Sequence, residues 1–301
     1  MDTINITDDF SAFCRNLEIS SDTQETVKSR LKSIVKRINL DFWDSDSDTT
    51  HFLVVGSYGR GTAIATSDID VVVELPWGEF SRFDNYSGNG QSALLQSVRE
   101  TLLKTYSTSK ISGDGQVVDI DFSDGIKFEI VPAFKHSDGS YTYADTNNGG
   151  SWKTMDPSFE MYLFSAADSK YNGNLVRLCR MSRAWKEKMT VLMPGILIDS
   201  IAYYFLQNYK YAGNSFIYYD WISRDFFKYI LDRLEKEPSA NKWDRIMPSE
   251  KITMKHPGSV KTDSKKAYDL SCQAISACEE KWYYTWHEKW RSIYGTKFPD
   301  A

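Results

Sequence analysis

The chain has 301 residues, 41% hydrophobic and 26% charged, with a formal net charge of −5. That length buries a substantial core without disulfide or metal staples, the composition excludes a disordered chain, and the negative balance argues against a general nucleic-acid coat protein, which needs Lys/Arg-rich surface. The cysteines (Cys14, Cys179, Cys272, Cys278) show no C-x-x-C spacing, no stretch is apolar over the ~20 residues that span a bilayer, and no basic and apolar leader opens the sequence, so the expectation is a cytoplasmic protein in a reducing compartment without a membrane partner.

Ser21 to Gln24 fits a capping box, and Val27, Leu31, Ile34, Val35 and Ile38 recur on one face, which predicts a helix through SDTQETVKSRLKSIVKRINLDFW. Its opposite face is basic and reads as solvated. Strand-like runs follow at 52–56 (FLVVG) and 68–75 (DIDVVVEL), then a helical pattern over 92–106 carried by Leu94, Leu95, Val98 and Leu102. Two more runs, 117–122 (VVDIDF) and 126–134 (IKFEIVPAF), flank Ser123-Asp124-Gly125 and predict a hairpin. This half reads as mixed α/β.

Beyond Asn147-Asn148-Gly149-Gly150 no convincing strand is legible, and helices are predicted over 175–189, 196–209, 221–234 and 262–293. In the last of these Trp282, Trp286 and Trp290 fall four apart and read as a packed seam. The lysine-rich stretch from Lys251 to Lys266 reads as a charged loop. Two domains are expected, 1–150 and 151–301, the second helical.

The chemistry concentrates in Val55-Gly56-Ser57-Tyr58-Gly59-Arg60-Gly61-Thr62-Ala63, followed by Thr66-Ser67-Asp68-Ile69-Asp70-Val71. Strand alternation puts Asp68 and Asp70 on one face, where two like charges are unfavourable unless a cation lies between them. A hard divalent ion such as Mg²⁺ takes such an oxygen site and leaves positions for substrate phosphates. Glycine lets backbone approach a phosphate, and the Ser57 hydroxyl and nearby N–H groups can donate to it. A third carboxylate would complete a two-metal site. Glu129, Asp119 and Asp121 all meet that description, and spacing alone does not separate them. The histidines (His51, His136, His256, His287) are scattered and match no zinc pattern.

Gly-Ser, ten residues, Asp-Ile-Asp, and a later acid before Val-Pro-Ala-Phe together resemble the core shared by oligoadenylate synthases and cGAS/DncV-like nucleotidyltransferases. The resemblance implies a polymerase-beta-like α/β (α+β) fold: a mixed-sheet catalytic lobe packed on a C-terminal helical lobe, with the active site between them. It makes Glu129 the third metal ligand with Asp68 and Asp70, a glutamate where aspartate is more frequent, and it implies two Mg²⁺ ions, replaceable by Mn²⁺. The similarity continues through Gly149-Gly150-Ser151-Trp152, Thr154-Met155-Asp156-Pro157 and Arg180-Met181-Ser182-Arg183-Ala184-Trp185-Lys186. In the bacterial series of that form, the lysine that holds the donor triphosphate falls at Arg183, with Lys186 one turn along, and a phosphate-contacting serine falls nearest Ser200. Gly56, Ser57, Arg183, Lys186 and Ser200 are therefore the implied nucleotide-binding residues.

What the resemblance implies is a monomeric synthase that joins nucleoside triphosphates into a cyclic di- or trinucleotide and releases pyrophosphate. It implies a role in bacterial antiphage signalling (CBASS), with HORMA-type or ubiquitin-conjugation-like accessory proteins and no obligatory nucleic acid. The competing expectations are a related transferase acting on an RNA 3′-end, an antibiotic or a protein, and an inactive nucleotide-binding scaffold.

Overall fold

Residues 4–64, 68–236, 241–247 and 250–301 are described by a computed structural model. The approach Thr66-Ser67 lies outside them. The chain divides into two compact units, Ile19–Met161 and a second made of Met1–Glu18 with Tyr162–Ala301.

Within the second unit, α1 (Ile6–Asn16) starts at Asn5, whose side chain accepts the Asp8 N–H. The first unit then begins with α2 (Ser21–Phe42), capped by the Ser20 hydroxyl on the Thr23 N–H rather than by Ser21. Its remaining elements are β1 (Phe52–Val54), the single turn α3 (Gly56–Gly59), β2 (Ile69–Glu74), α4 (Trp77–Asp84) and α5 (Gly90–Leu103). The strands β3 (Lys110–Asp114), β4 (Val117–Asp121), β5 (Lys127–Lys135), β6 (Tyr141–Asp145) and β7 (Ser151–Met155) follow.

These strands form a seven-stranded mixed sheet in the order β1-β2-β5-β4-β3, with β6 pairing the far end of β5 and also β7. Strands β2 and β5 run parallel, and the hairpin β4–β5 is antiparallel as its turn signal predicts, with Gly125 at φ +86°. Alternation assigns the faces. Ile69, Val71 and Val73 of β2 and Phe128 and Ile130 of β5 join Val27, Ile34 and Ile38 of α2 and Leu94, Val98 and Leu102 of α5 in one core. The opposite face carries a smaller apolar patch around Val72, Ala133 and Tyr141, and on that face, further along the same strands, stand the carboxylates.

The division of the chain falls inside α6 (Pro157–Lys170), beyond the expected boundary at 150, because 151–155 pair with β6 and complete the sheet. The helical unit continues with α7 (Asn174–Met189), α8 (Gly195–Gln207) and α9 (Tyr219–Lys236), a small ribbon of β8 (Lys242–Asp244) and β9 (Lys251–Thr253), then α10 (Pro257–Glu279) and α11 (Tyr283–Tyr294). The single helix expected over 262–293 is two, broken where Lys281 takes φ +59°. Lys251 to Lys266 is β9 and the first turns of α10 rather than a loop. Trp286 and Trp290 are fully buried, whereas Trp282, just ahead of α11, is exposed.

Helix α1 belongs to this unit because Phe10 packs edge-on against Trp290 at 5.2 Å and Phe298 at 5.3 Å, while Phe13 meets Tyr294 at 4.7 Å. No helix among the described residues is long and apolar enough to cross a membrane.

Candidate active site

The Gly-Ser turn is shaped by close approach. Gly56 sits at φ +63°, and a Cβ placed there would lie 1.8 Å from Asp70 Oδ2, so only glycine lets the turn rest against that carboxylate. The turn is closed by the Thr62 and Ala63 N–H groups, which donate to the Ser57 carbonyl at 2.8 and 3.1 Å, and is tied to β2 by the Val55 N–H on the Asp70 carbonyl. Arg60, one residue past α3, pairs with Glu160 at 2.8 Å with both side chains only 5% exposed. This brace beneath the turn was not legible in the sequence, where the partners are 100 positions apart.

Asp70 and Glu129 are register partners across the parallel β2–β5 pair, and Asp119 is the partner of Glu129 on its other side. Glu129 is therefore the strand neighbour of Asp70, Asp119 lies one strand further away, and Asp121 stands nearer the strand end, where Lys110 pairs with it at 3.2 Å. Asp68 is exposed, just ahead of β2.

Crowded carboxylates perturb one another. Burial, then the Glu129 carboxylate, then Asp68 and a hydrogen bond with Glu129 push Asp70 up to about 6, against a smaller opposing pull from Arg60. Asp68 is raised as well, by burial first and then by Glu129. An assembly of oxygens that resists carrying its full negative charge fits a hard divalent cation. Among the described residues no three such side chains are already drawn together as a metal cage. A chain cation intervenes: Lys127 Nζ stands 2.7 Å from Glu129 Oε1 and 3.1 Å from Asp119 Oδ1.

In the helical unit the expected phosphate ligands are arranged differently from the sequence expectation. Arg183 of α7 is 6% exposed and forks onto Asp199 of α8, itself 0% exposed, through both terminal nitrogens, one at 3.0 Å from Oδ2. Its guanidinium also faces the Gly195 and Cys179 carbonyls. Withdrawing it toward a phosphate would strand a buried carboxylate at a cost of about 3–5 kcal/mol. Ser200 is fully buried inside α8 and donates to the Ile196 carbonyl at 2.8 Å, so its hydroxyl is committed within the helix. Lys186 is half-buried, and its side chain has no hydrogen bond or ion pair among the described residues. Burial, and secondarily Arg183, hold its ammonium below the usual lysine range.

Gly150 enters β7 at φ +96°, where a Cβ would lie 2.3 Å from Gln91 Oε1. Trp152 donates to Asp84 at 2.9 Å and packs on Phe80 and Phe134, while Asp156 accepts the Phe159 N–H at the start of α6.

The profile of the Second Messenger Oligonucleotide or Dinucleotide Synthetase (SMODS) domain matches residues 4–165. The chain belongs to that family. Its members include the cGAS/DncV-like nucleotidyltransferases, and the fold of this SMODS chain is theirs: it is similar to CdnC of Escherichia coli MS115-1 solved with ATP (TM-score 0.70, 16% identity, covering 97% of this chain and 98% of that one). It is similar also to CdnG of Bradyrhizobium diazoefficiens in complex with GTP (TM-score 0.68, 12% identity, 98% and 96% covered). The di-nucleotide cyclase DncV of Vibrio cholerae gives a TM-score of 0.67 at 12% identity, with 98% and 87% covered. In sequence, a probable cyclic nucleotide synthase of Bacillus cereus (strain VD146) is 28% identical over 106 residues, which is 34% of this SMODS chain and 31% of the relative's length.

Proposed function

We propose that this chain is a metal-dependent nucleotidyltransferase that condenses nucleoside triphosphates into a cyclic di- or trinucleotide and releases pyrophosphate. The observation that carries this reading is the pairing of Asp70 with Glu129 on adjacent strands, against a glycine turn that only a residue without a Cβ can form.

Asp68, Asp70 and Glu129 would hold Mg²⁺, or Mn²⁺ in its place, which when bound stabilises charge on the phosphates and acidifies the attacking hydroxyl. The Gly56-Ser57 turn offers backbone and hydroxyl donors to the donor triphosphate. Lys186, rather than Arg183, is the cation we assign to phosphate, since it is not committed to a buried partner. In each step a ribose hydroxyl oxygen bonds to the α-phosphorus, the bond from that phosphorus to the bridging oxygen breaks, and pyrophosphate leaves with the electron pair. Glu129 receives the hydroxyl proton. A second step within the linear product closes the ring.

We place the reaction in the cytoplasm, where unpaired thiols such as Cys14, pushed up to about 12 by burial, stay reduced and inert. The antiphage role and a HORMA-type partner are proposed by analogy with CdnC of Escherichia coli MS115-1, which has been solved in complex with a HORMA protein.

The test is incubation with all four labelled ribonucleoside triphosphates and Mg²⁺ or Mn²⁺, then phosphatase and mass spectrometry. A small phosphatase-resistant product supports cyclisation. Label transferred to a macromolecule or an antibiotic supports a different acceptor, and no pyrophosphate under any of these conditions rejects the enzyme reading.

A further inference from the structure

Lys127 occupies a place no sequence pattern assigned to it. It lies two positions before Glu129 on the same face of β5, donates to Glu129 Oε1 at 2.7 Å and forms an ion pair with Asp119 Oδ1 at 3.1 Å. Its stem is held on the sheet face and only 28% of its side chain is exposed, about the same as the 27% of Glu129. Glu129 thus has two claimants: the divalent ion that it would hold with Asp68 and Asp70, and the Lys127 ammonium already bonded to it.

We propose that Lys127 is a built-in counter-ion that positions Glu129 and competes with the divalent cation for it, so that metal loading is an exchange of one positive charge for another. The inference rests on the metal-site reading above. A cation beside the site repels an incoming one, and the Glu129 oxygen bonded to Lys127 is withheld from the metal until it turns. The carboxylates meanwhile stay compatible with the folded sheet, because the ammonium offsets part of their mutual repulsion. Lys127 therefore trades metal affinity for stability of the metal-free protein.

The experiment uses the full chain and Mn²⁺ without nucleotide, read by the electron paramagnetic resonance of free Mn²⁺, with thermal melts in EDTA alongside. Lys127→Met keeps most of the apolar stem and removes the charge. It is expected to bind Mn²⁺ about tenfold more tightly than wild type, to melt at a lower temperature in EDTA, and to gain more from added Mn²⁺. Lys127→Arg is expected to restore wild-type behaviour in both assays, and Asp119→Asn added to Lys127→Met to recover part of the EDTA melt.

Equal or weaker Mn²⁺ binding by Lys127→Met, with wild type binding measurably, overturns the exchange while leaving the metal site intact. Wild type showing no Mn²⁺ binding that Asp70→Asn removes overturns the metal reading and the exchange with it. An EDTA melt unchanged in Lys127→Met overturns the counter-ion role whatever the metal does.

Discussion

Replacing Gly56 by alanine tests the geometry of the site at one atom. The added Cβ would start 1.8 Å from Asp70 Oδ2, and real Cβ atoms essentially never sit closer than 3.0 Å to a neighbour, so either the carboxylate or the turn has to retreat. The backbone at φ +63° adds a second cost, about 1–2 kcal/mol for a left-handed non-glycine residue. For a unit of this size that lowers the melting temperature by about 2–8 °C, leaving a folded protein. The catalytic cost is larger, because displacing a reacting group by about an ångström is worth on the order of a hundredfold in rate. Pyrophosphate release under saturating triphosphate, beside a thermal melt, separates the two effects. Activity within about threefold of wild type in the folded variant would refute the claim that the turn and Asp70 form one surface.

Glu129→Gln should lower the rate about a hundredfold or more while Asp119→Asn changes it by less than about tenfold, as measured by pyrophosphate release. The reverse order would move the third carboxylate one strand over. Arg183→Ala should destabilise the helical unit by about 3–5 kcal/mol in urea denaturation, because Asp199 is left buried and alone. Lys186→Ala should fold normally and raise KM for triphosphate about tenfold with little change in stability. A folded Arg183→Ala protein with wild-type stability would contradict the buried fork. In EDTA, the raised Asp70 favours its protonated form in the fold, so its contribution is full below the ordinary value of 3.8 and is lost as pH rises toward about 6. The stability of wild type relative to Asp70→Asn should therefore fall across that window in denaturant titrations. A flat or rising difference would show that the carboxylate is not strained by its neighbours.

The elements that apolar runs or helical spacing could reveal were legible: β2 and the β4–β5 hairpin carry buried apolar residues between their carboxylates, and α2 and α5 each bury one face. Elements with little to bury were not. Strand β3 has a single buried residue, Ile111, and β7 has none, so neither carries a period-two signal. Helix α1 hides its apolar residues among acids, because Phe10, Phe13 and Cys14 face a core assembled from the far end of the chain.

At the site, Asp68 and Asp70 came from spacing, whereas the adjacency of Glu129 to Asp70 depends on a parallel pairing that no local pattern encodes. The fork between Arg183 and Asp199 joins two helices and was invisible for the same reason. So was Lys127, which reads as an ordinary strand lysine until β4 brings Asp119, the partner of Glu129, within 3.1 Å of its ammonium.

The placement of α1 sets the order in which the chain can mature. The sheet unit is one continuous stretch, Ile19–Met161, and all of its strands have been synthesised before α7 begins. The helical unit has its first helix made before the sheet unit and its aromatic partners Trp290 and Phe298 made after it. Phe10 must wait until Trp290 and Phe298 have been synthesised before its pocket is complete. During that interval the nascent chain carries a finished sheet unit behind an exposed aromatic segment, a natural foothold for a chaperone. The closing contact forms only after Phe298 has been synthesised.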